Sequence, residues 1–223
     1  ENFGDCRNGR FDCGGRGSRA TDILAYGTYR RIGGNKMKEK TRTQTLVLTA
    51  LMMCMILVMT FIIRIPIPAT NGYIHLGDGM IFLSVLLLGW KYGAVAAGVG
   101  SALADLWAGY AIYAPVTLVV KFVMAMVVGL FIERVVKTDF TTLRLRVAEI
   151  MGMVIGGAFM CGGYYVAESF MYGNWVVPLT GIPMNILQFV VGVVLASALA
   201  TALYRTPAGK IFQYNIVEGE SKG

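Results

Sequence analysis

From residue 37 onward the chain alternates long apolar runs with short polar breaks, and the breaks hold most of the basic residues. Lys38, Lys40 and Arg42 precede an apolar run from about Gln44 to Ile63, long enough to cross a ~30 Å hydrocarbon core. Arg64, Pro66 and Pro68 end it, because proline supplies no backbone donor and disfavours helix in the residue before it. Residues 65–77 read as a loop with the turn signal Asn71-Gly72. The pattern then predicts a short helix over about Asp78–Gly89, an interfacial anchor at Trp90-Lys91-Tyr92, and a third helix over about Gly93–Ala108. Helix four is expected over Ala114–Val136, then a polar stretch with Lys137, Arg144 and Arg146. Helix five follows over Val147–Phe170 and helix six over Val177–Tyr204.

The predicted fold class is an all-α integral membrane protein of six transmembrane helices, two of them short, with both termini cytoplasmic. The orientation follows from the cations. One face collects Lys38, Lys40, Arg42, Lys91, Arg134, Lys137, Arg144, Arg146, Arg205 and Lys210, and the other only Arg64. Small residues recur at helical spacing in Gly93/Ala97/Ser101 and Ala148/Gly152/Gly156, the pattern that lets helices approach closely in lipid.

Composition supports this placement. The chain is 56% hydrophobic and 15% charged, with mean hydropathy +0.60, too apolar for an ordinary soluble domain. The net charge of +7 lies at helix ends rather than along a polar face, so lipid and not nucleic acid is the expected partner. Cys54 and Cys161 lie in apolar helices, and Cys6 and Cys13 have no ligands at metal-binding spacing, so neither a disulfide framework nor a metal site is expected. Residues 1–36 are Gly/Arg-rich and lack apolar periodicity. They read as a disordered or non-native leader, since Arg31-Ile-Gly-Gly-Asn-Lys-Met37 can be encoded by a purine-rich ribosome-binding site ahead of a start codon. The expected divisions are this leader, a membrane domain over residues 37–205 and a cytoplasmic tail over 206–223.

Polar groups inside apolar helices are the candidates for chemistry, because hydrocarbon offers them no solvent. Asp105 and Lys121 fall within ~5–12 Å of the outer helix ends and are expected to pair, as a structural ion pair or a ligand contact. Glu168 sits at similar depth, suited to a cationic or hydroxylated ligand or to snorkelling outward. Asp78 begins helix two, where capping is the simpler role, and His75 stands two residues before Gly77 as a hydrogen-bonding group for ligand or loop. Tyr73, Trp107, Tyr110, Tyr113 and Tyr164 crowd the outer side with Tyr165, Tyr172 and Trp175, as an interfacial belt or as stacking surfaces. Asn185 and Gln188 lie in helix six, where buried amides bridge helices or meet a ligand. No catalytic constellation and no phosphate-binding loop is present, so the chain does not energise transport through ATP by itself, and neither enzymatic activity nor a cofactor is expected.

These features resemble the substrate-binding S component of an energy-coupling factor (ECF) vitamin transporter. The segments that carry the resemblance are Tyr73-Ile-His-Leu-Gly-Asp78, Gly100-Ser-Ala-Leu-Ala-Asp105 and Gly109-Tyr-Ala-Ile-Tyr-Ala-Pro115 leading into Lys121. The likeness is greatest to the hydroxymethylpyrimidine or vitamin B6 branch of the riboflavin-type group. It implies capture of a small heteroaromatic vitamin from outside, a loop over residues 65–77 that closes on it, and assembly with a transmembrane coupling subunit and two ATPase subunits. It also implies toppling in the membrane to release the load. The family's Ala-xxx-Ala face for the coupling subunit falls on Ala50 and Cys54, with cysteine in the second small position. The same pocket inventory suits riboflavin, and a stand-alone proton-coupled transporter is a second class of reading.

Overall fold

The computed structural model describes residues 42–62, 64–66, 73–138, 142–206, 209 and 211–214. The leader expectation for residues 1–36 and most of the tail lie outside them. The elements are α1 (Arg42–Ile62), a hairpin of β1 (Arg64–Pro66) and β2 (Tyr73–His75), α2 (Gly77–Trp107), α3 (Ala114–Thr138), α4 (Thr142–Tyr172) and α5 (Ile182–Tyr204), the last preceded by a 3₁₀ turn at Val177–Gly181. In hydrocarbon every backbone polar group must be satisfied within the segment, which is why apolar runs of this length fold as helices. Five helices among the described residues are long and apolar enough to cross a membrane.

The segments expected as helices two and three are both helical and join within α2 at a sharp bend. Gly89 interrupts α2 with φ 76° and ψ 179°, a conformation essentially confined to glycine. The two arms fold back on each other: the Ser84 hydroxyl lies 3.4 Å from the Gly93 carbonyl. A Cβ on Gly93 would sit 2.8 Å from the Val85 Cα, so the close approach requires glycine there. At ~1.5 Å per residue the arms reach ~18 and ~27 Å, and neither alone covers a ~30 Å core.

This bent element is the centre of the bundle. It packs against α1, α3 and α5, while α4 closes the ring between α3 and α5. In α2 72% of the most apolar stretch is buried, against 22% in α1, so α1 is the peripheral helix. The small-residue faces are inside: Gly93, Ala97, Ser101, Ala148, Gly152 and Gly156 are all buried. Helix five begins earlier than expected, at Thr142, so Arg144 and Arg146 belong to the first turns of α4 rather than to a polar connection.

Two connections carry structure that the pattern did not predict. The loop after α1 holds an antiparallel hairpin with register Arg64↔His75, Ile65↔Ile74 and Pro66↔Tyr73. The segment after α5, expected to be a plain tail, folds back onto the bundle. Phe212 and Tyr214 are buried, and Phe212 stacks on Tyr204 at 4.1 Å between centroids. The Gln213 N–H donates to the Leu86 carbonyl (3.1 Å), supplying a donor to a helix end interrupted at Gly89. The Tyr214 hydroxyl donates to the Gly129 carbonyl (3.3 Å). On the same side Arg146 and Tyr204 both bond the buried Glu149, at 3.1 and 3.0 Å, and the Arg146 guanidinium lies 4.1 Å from the Tyr204 ring.

Candidate functional site

Lys121 is the organising residue of the buried polar groups. It lies two turns into α3 with no exposed side-chain surface, and its Nζ donates to Asp78 Oδ1 at 2.6 Å. A second contact runs from Nζ to Met160 Sδ at 2.8 Å, and the Tyr164 ring centroid lies 5.5 Å away. The other oxygen, Asp78 Oδ2, accepts from Gln188 Nε2 at 2.9 Å. Gln188 Oε1 in turn accepts from the His75 backbone N–H at 3.1 Å. The His75 ring closes the corner, with Nδ1 accepting from the Gly77 N–H at 3.0 Å. One chain of bonds thus links α3, the start of α2, α5 and the strand that returns from the loop. Full burial makes each link necessary, since an uncompensated charge in this setting is costly.

Lys121 therefore pairs with Asp78, not with Asp105 as the sequence suggested. Depth alone did not separate the two aspartates: each stands at the end of one arm of α2 away from the bend, and the bend at Gly89 brings the first arm to Lys121. Nor is Asp78 a capping residue. Position Leu76 precedes the helix with no side-chain cap bond, and both Asp78 oxygens are engaged elsewhere. His75 is 7% exposed, and burial lowers its pKa to about 4; Asp78 opposes that shift and Lys121 reinforces it. Its ring is neutral at physiological pH, consistent with Nδ1 acting as an acceptor.

A second group lies nearer the start of α3 and the end of α4. Tyr113, Thr117 and Lys121 stand at i, i+4 and i+8, with the helical bond from the Thr117 N–H to the Tyr113 carbonyl (2.8 Å) extending the α3 register to Tyr113. Tyr164, Glu168 and Tyr172 repeat the spacing on α4. The two stripes run antiparallel. Tyr113 and Tyr172 are joined through their hydroxyls at the outer rung. The Tyr164 hydroxyl donates to Thr117 Oγ1 (3.2 Å) at the inner one. Glu168 is on the rung between, with 5% exposure. The Tyr113 hydroxyl is held far above the usual phenol range, first by burial, then by its bond to Tyr172 and by the nearby charges of Glu168, Tyr172 and Asp105.

The remaining expected residues divide. Gln188 is buried in the network, whereas Asn185 is half-buried, a turn nearer the start of α5. Trp107 is 74% exposed and belongs to the membrane interface rather than to the enclosed group. Tyr110 is half-buried in the turn between α2 and α3. Tyr73 has its backbone in β2, and the expectation for its side chain lies outside what the structure describes. Ala50 and Cys54 are exposed on α1. Met160 and Thr117 were missed by sequence reasoning. Both sit at helical spacing from named residues, Met160 one turn before Tyr164 and Thr117 one turn before Lys121, and that spacing was the available signal. Among the described residues no group of His, Cys, Asp and Glu could hold a metal ion.

A bent apolar bundle with charge and tyrosine concentrated at one end defines a multi-pass membrane protein built around an enclosed polar site. Residues 40–205 match the family model of the ECF-type riboflavin transporter, S component, and the chain belongs to that family. It is thus an integral membrane transport component of an ECF system and not an enzyme. A Lactococcus lactis protein named the thiamine precursor transporter HmpT is 30% identical over 146 residues, covering 65% of this chain and 78% of that protein. A Pyrococcus woesei protein described as the uncharacterized protein in gap 3'region is 37% identical over 142 residues, covering 64% and 89%. Two solved structures share the fold. One, described as the S component of a bacterial ECF transporter, has TM-score 0.57 and 21% identity, covering 74% of this chain and 98% of that one. The other, the S component for biotin from an ECF-type ABC transporter, has TM-score 0.56 and 22% identity, covering 73% and 95%.

Proposed function

We propose that this chain captures a small heteroaromatic vitamin or precursor, of the hydroxymethylpyrimidine or pyridoxine/pyridoxamine type, at the outer end of the bundle. The observation that carries the reading is the concentration of buried polar and aromatic side chains there. Asp105, Tyr113, Tyr164, Glu168 and Tyr172 surround a stretch of helix that is otherwise apolar. A flat ring with amine and hydroxyl groups suits tyrosine faces and carboxylate acceptors. The thiamine-precursor name of the Lactococcus relative supports the pyrimidine choice. In this reading the β1–β2 hairpin is the lid, and the bond from His75 to Gln188 is its latch to α5.

The ligand contacts proposed are Tyr73, Asp105, Tyr110, Tyr113, Tyr164, Glu168 and Asn185, while His75, Asp78, Lys121 and Gln188 hold the floor and lid. Energy comes from outside the chain, through a transmembrane coupling subunit and two ATPase subunits, with Ala50 and Cys54 on the exposed face of α1 as the contact. Six passages with both termini cytoplasmic follow if each arm of α2 crosses most of the bilayer.

The test is mass spectrometry of the small molecule that co-purifies with the detergent-solubilised protein, followed by calorimetric titration of that compound. Recovery of a pyrimidine or pyridine is the expected result. Recovery of riboflavin would replace this substrate with the second reading, which the riboflavin description of the matching family model favours. Uptake that survives ATP depletion but collapses with the proton gradient would replace the mechanism.

A further inference from the structure

Glu168 is 5% exposed, yet its Oε2 has no hydrogen-bond partner among the described residues. Its neighbours direct their own bonds elsewhere. The Tyr164 hydroxyl donates to Thr117, and the Tyr113 and Tyr172 hydroxyls bond each other. Ser169 Oγ donates to the Tyr165 carbonyl at 2.7 Å. The Lys121 ammonium is committed to Asp78 and Met160. A carboxylate oxygen buried without a donor is unfavourable, and nearly all buried polar atoms in folded proteins find one. The stripe Tyr164–Glu168–Tyr172 faces the stripe Tyr113–Thr117–Lys121, so the bare acceptor is flanked by tyrosine side chains on both helices.

We infer that Glu168 sets the ligand's chemistry: it selects a compound that brings an N–H donor to this point, an exocyclic amine or a protonated ring nitrogen of a pyrimidine or pyridine, over one carrying only acceptor oxygens there. The inference rests on the outer end of the bundle being the ligand site. Three features agree with it. A carboxylate accepts from N–H groups and cannot donate. Charge-assisted bonds of this kind are stronger than neutral ones. Tyrosine faces at Tyr113, Tyr164 and Tyr172 attract a cationic ring. The one ammonium in the group, Lys121, is already neutralised by Asp78, so it does not compensate Glu168.

The experiment uses the full chain in detergent and two probes: the amine-bearing hydroxymethylpyrimidine, and its oxygen analogue with the exocyclic amine replaced by methoxy, which accepts but cannot donate. Calorimetry gives the ratio of their affinities. Wild type is expected to prefer the amine, and Glu168→Gln to lower that preference roughly 10- to 100-fold while still binding the oxygen analogue. Glu168→Asp keeps the charge and is expected to retain the preference at reduced affinity. An unchanged ratio in Glu168→Gln overturns the inference while leaving pyrimidine binding intact. If Glu168→Gln loses both probes, Glu168→Asp decides, and a Glu168→Asp chain that treats the two alike overturns it. Wild type that binds riboflavin and neither pyrimidine overturns both the inference and the substrate on which it rests.

Discussion

Replacing Lys121 by methionine tests the central claim about this bundle, that its buried ion pair is a requirement of the fold. The Lys121 Nζ is 2.6 Å from Asp78 Oδ1, and neither side chain has exposed surface. Methionine fills similar space but leaves the Asp78 carboxylate with Gln188 as its described donor. Removing one member of a buried pair costs about 3–5 kcal/mol, because the remaining charge stays buried. At ~2–4 °C per kcal/mol for a domain of this size, the apparent melting temperature should fall by roughly 6–20 °C. The second variant makes the reasoning specific. Asp78→Asn in the Lys121→Met background removes the stranded charge and keeps an acceptor for Gln188, so it should recover at least half of the loss. The assay is thermal unfolding in detergent, followed by tryptophan fluorescence and by loss of the monodisperse elution peak. A Lys121→Met chain that melts with wild type, or a double variant no better than the single, would refute the account.

Three further outcomes follow from the same geometry. His75 titrates at about 4 in the fold, below its ordinary 6.5, so the unfolded chain takes up the proton first. Stability is then full above about 6.5 and declines as pH falls toward 4, by about 3 kcal/mol in total; His75→Gln should flatten that part of the pH–melting profile, and an unchanged slope would contradict it. Gly89→Ala forces a side chain into φ 76°, ψ 179° with its Cβ 3.2 Å from Gln213 Cγ. It should cost about 1–3 kcal/mol, and a neutral effect on melting would mean that the bend is not constrained. Phe212→Ala removes a ring that is 4% exposed and stacked on Tyr204. The expected loss of about 3–5 kcal/mol would appear in the same melting assay, whereas truncation after residue 206 without consequence would show that the returning segment contributes nothing.

The helices were legible because their signal is local. Apolar runs flanked by cations, with proline after α1, predicted α1, α3 and α5 to within a few residues at most ends. Burial of Glu168 and Gln188 was also foreseeable, since each is a polar residue inside an apolar run. The identity of Lys121's partner was not. Asp78 and Asp105 are both acids at an outer helix end, and choosing between them required knowing how sharply the chain turns at Gly89. The burial of Phe212 and Tyr214 escaped notice because two residues are too few to form a periodic pattern; it depends on surfaces contributed by α2, α3 and α5.

Membership of the membrane and the helical class were determined by the sequence alone, because transfer of apolar segments from water and satisfaction of their backbone bonds do not depend on neighbours far along the chain. Which polar groups meet did depend on them. The bonds from Asp78 to Lys121 and Gln188 join residues separated by 43 and 110 positions. Only the packed bundle decides such pairings, since the free energy that favours them arises when several helices exclude water from the same point at once.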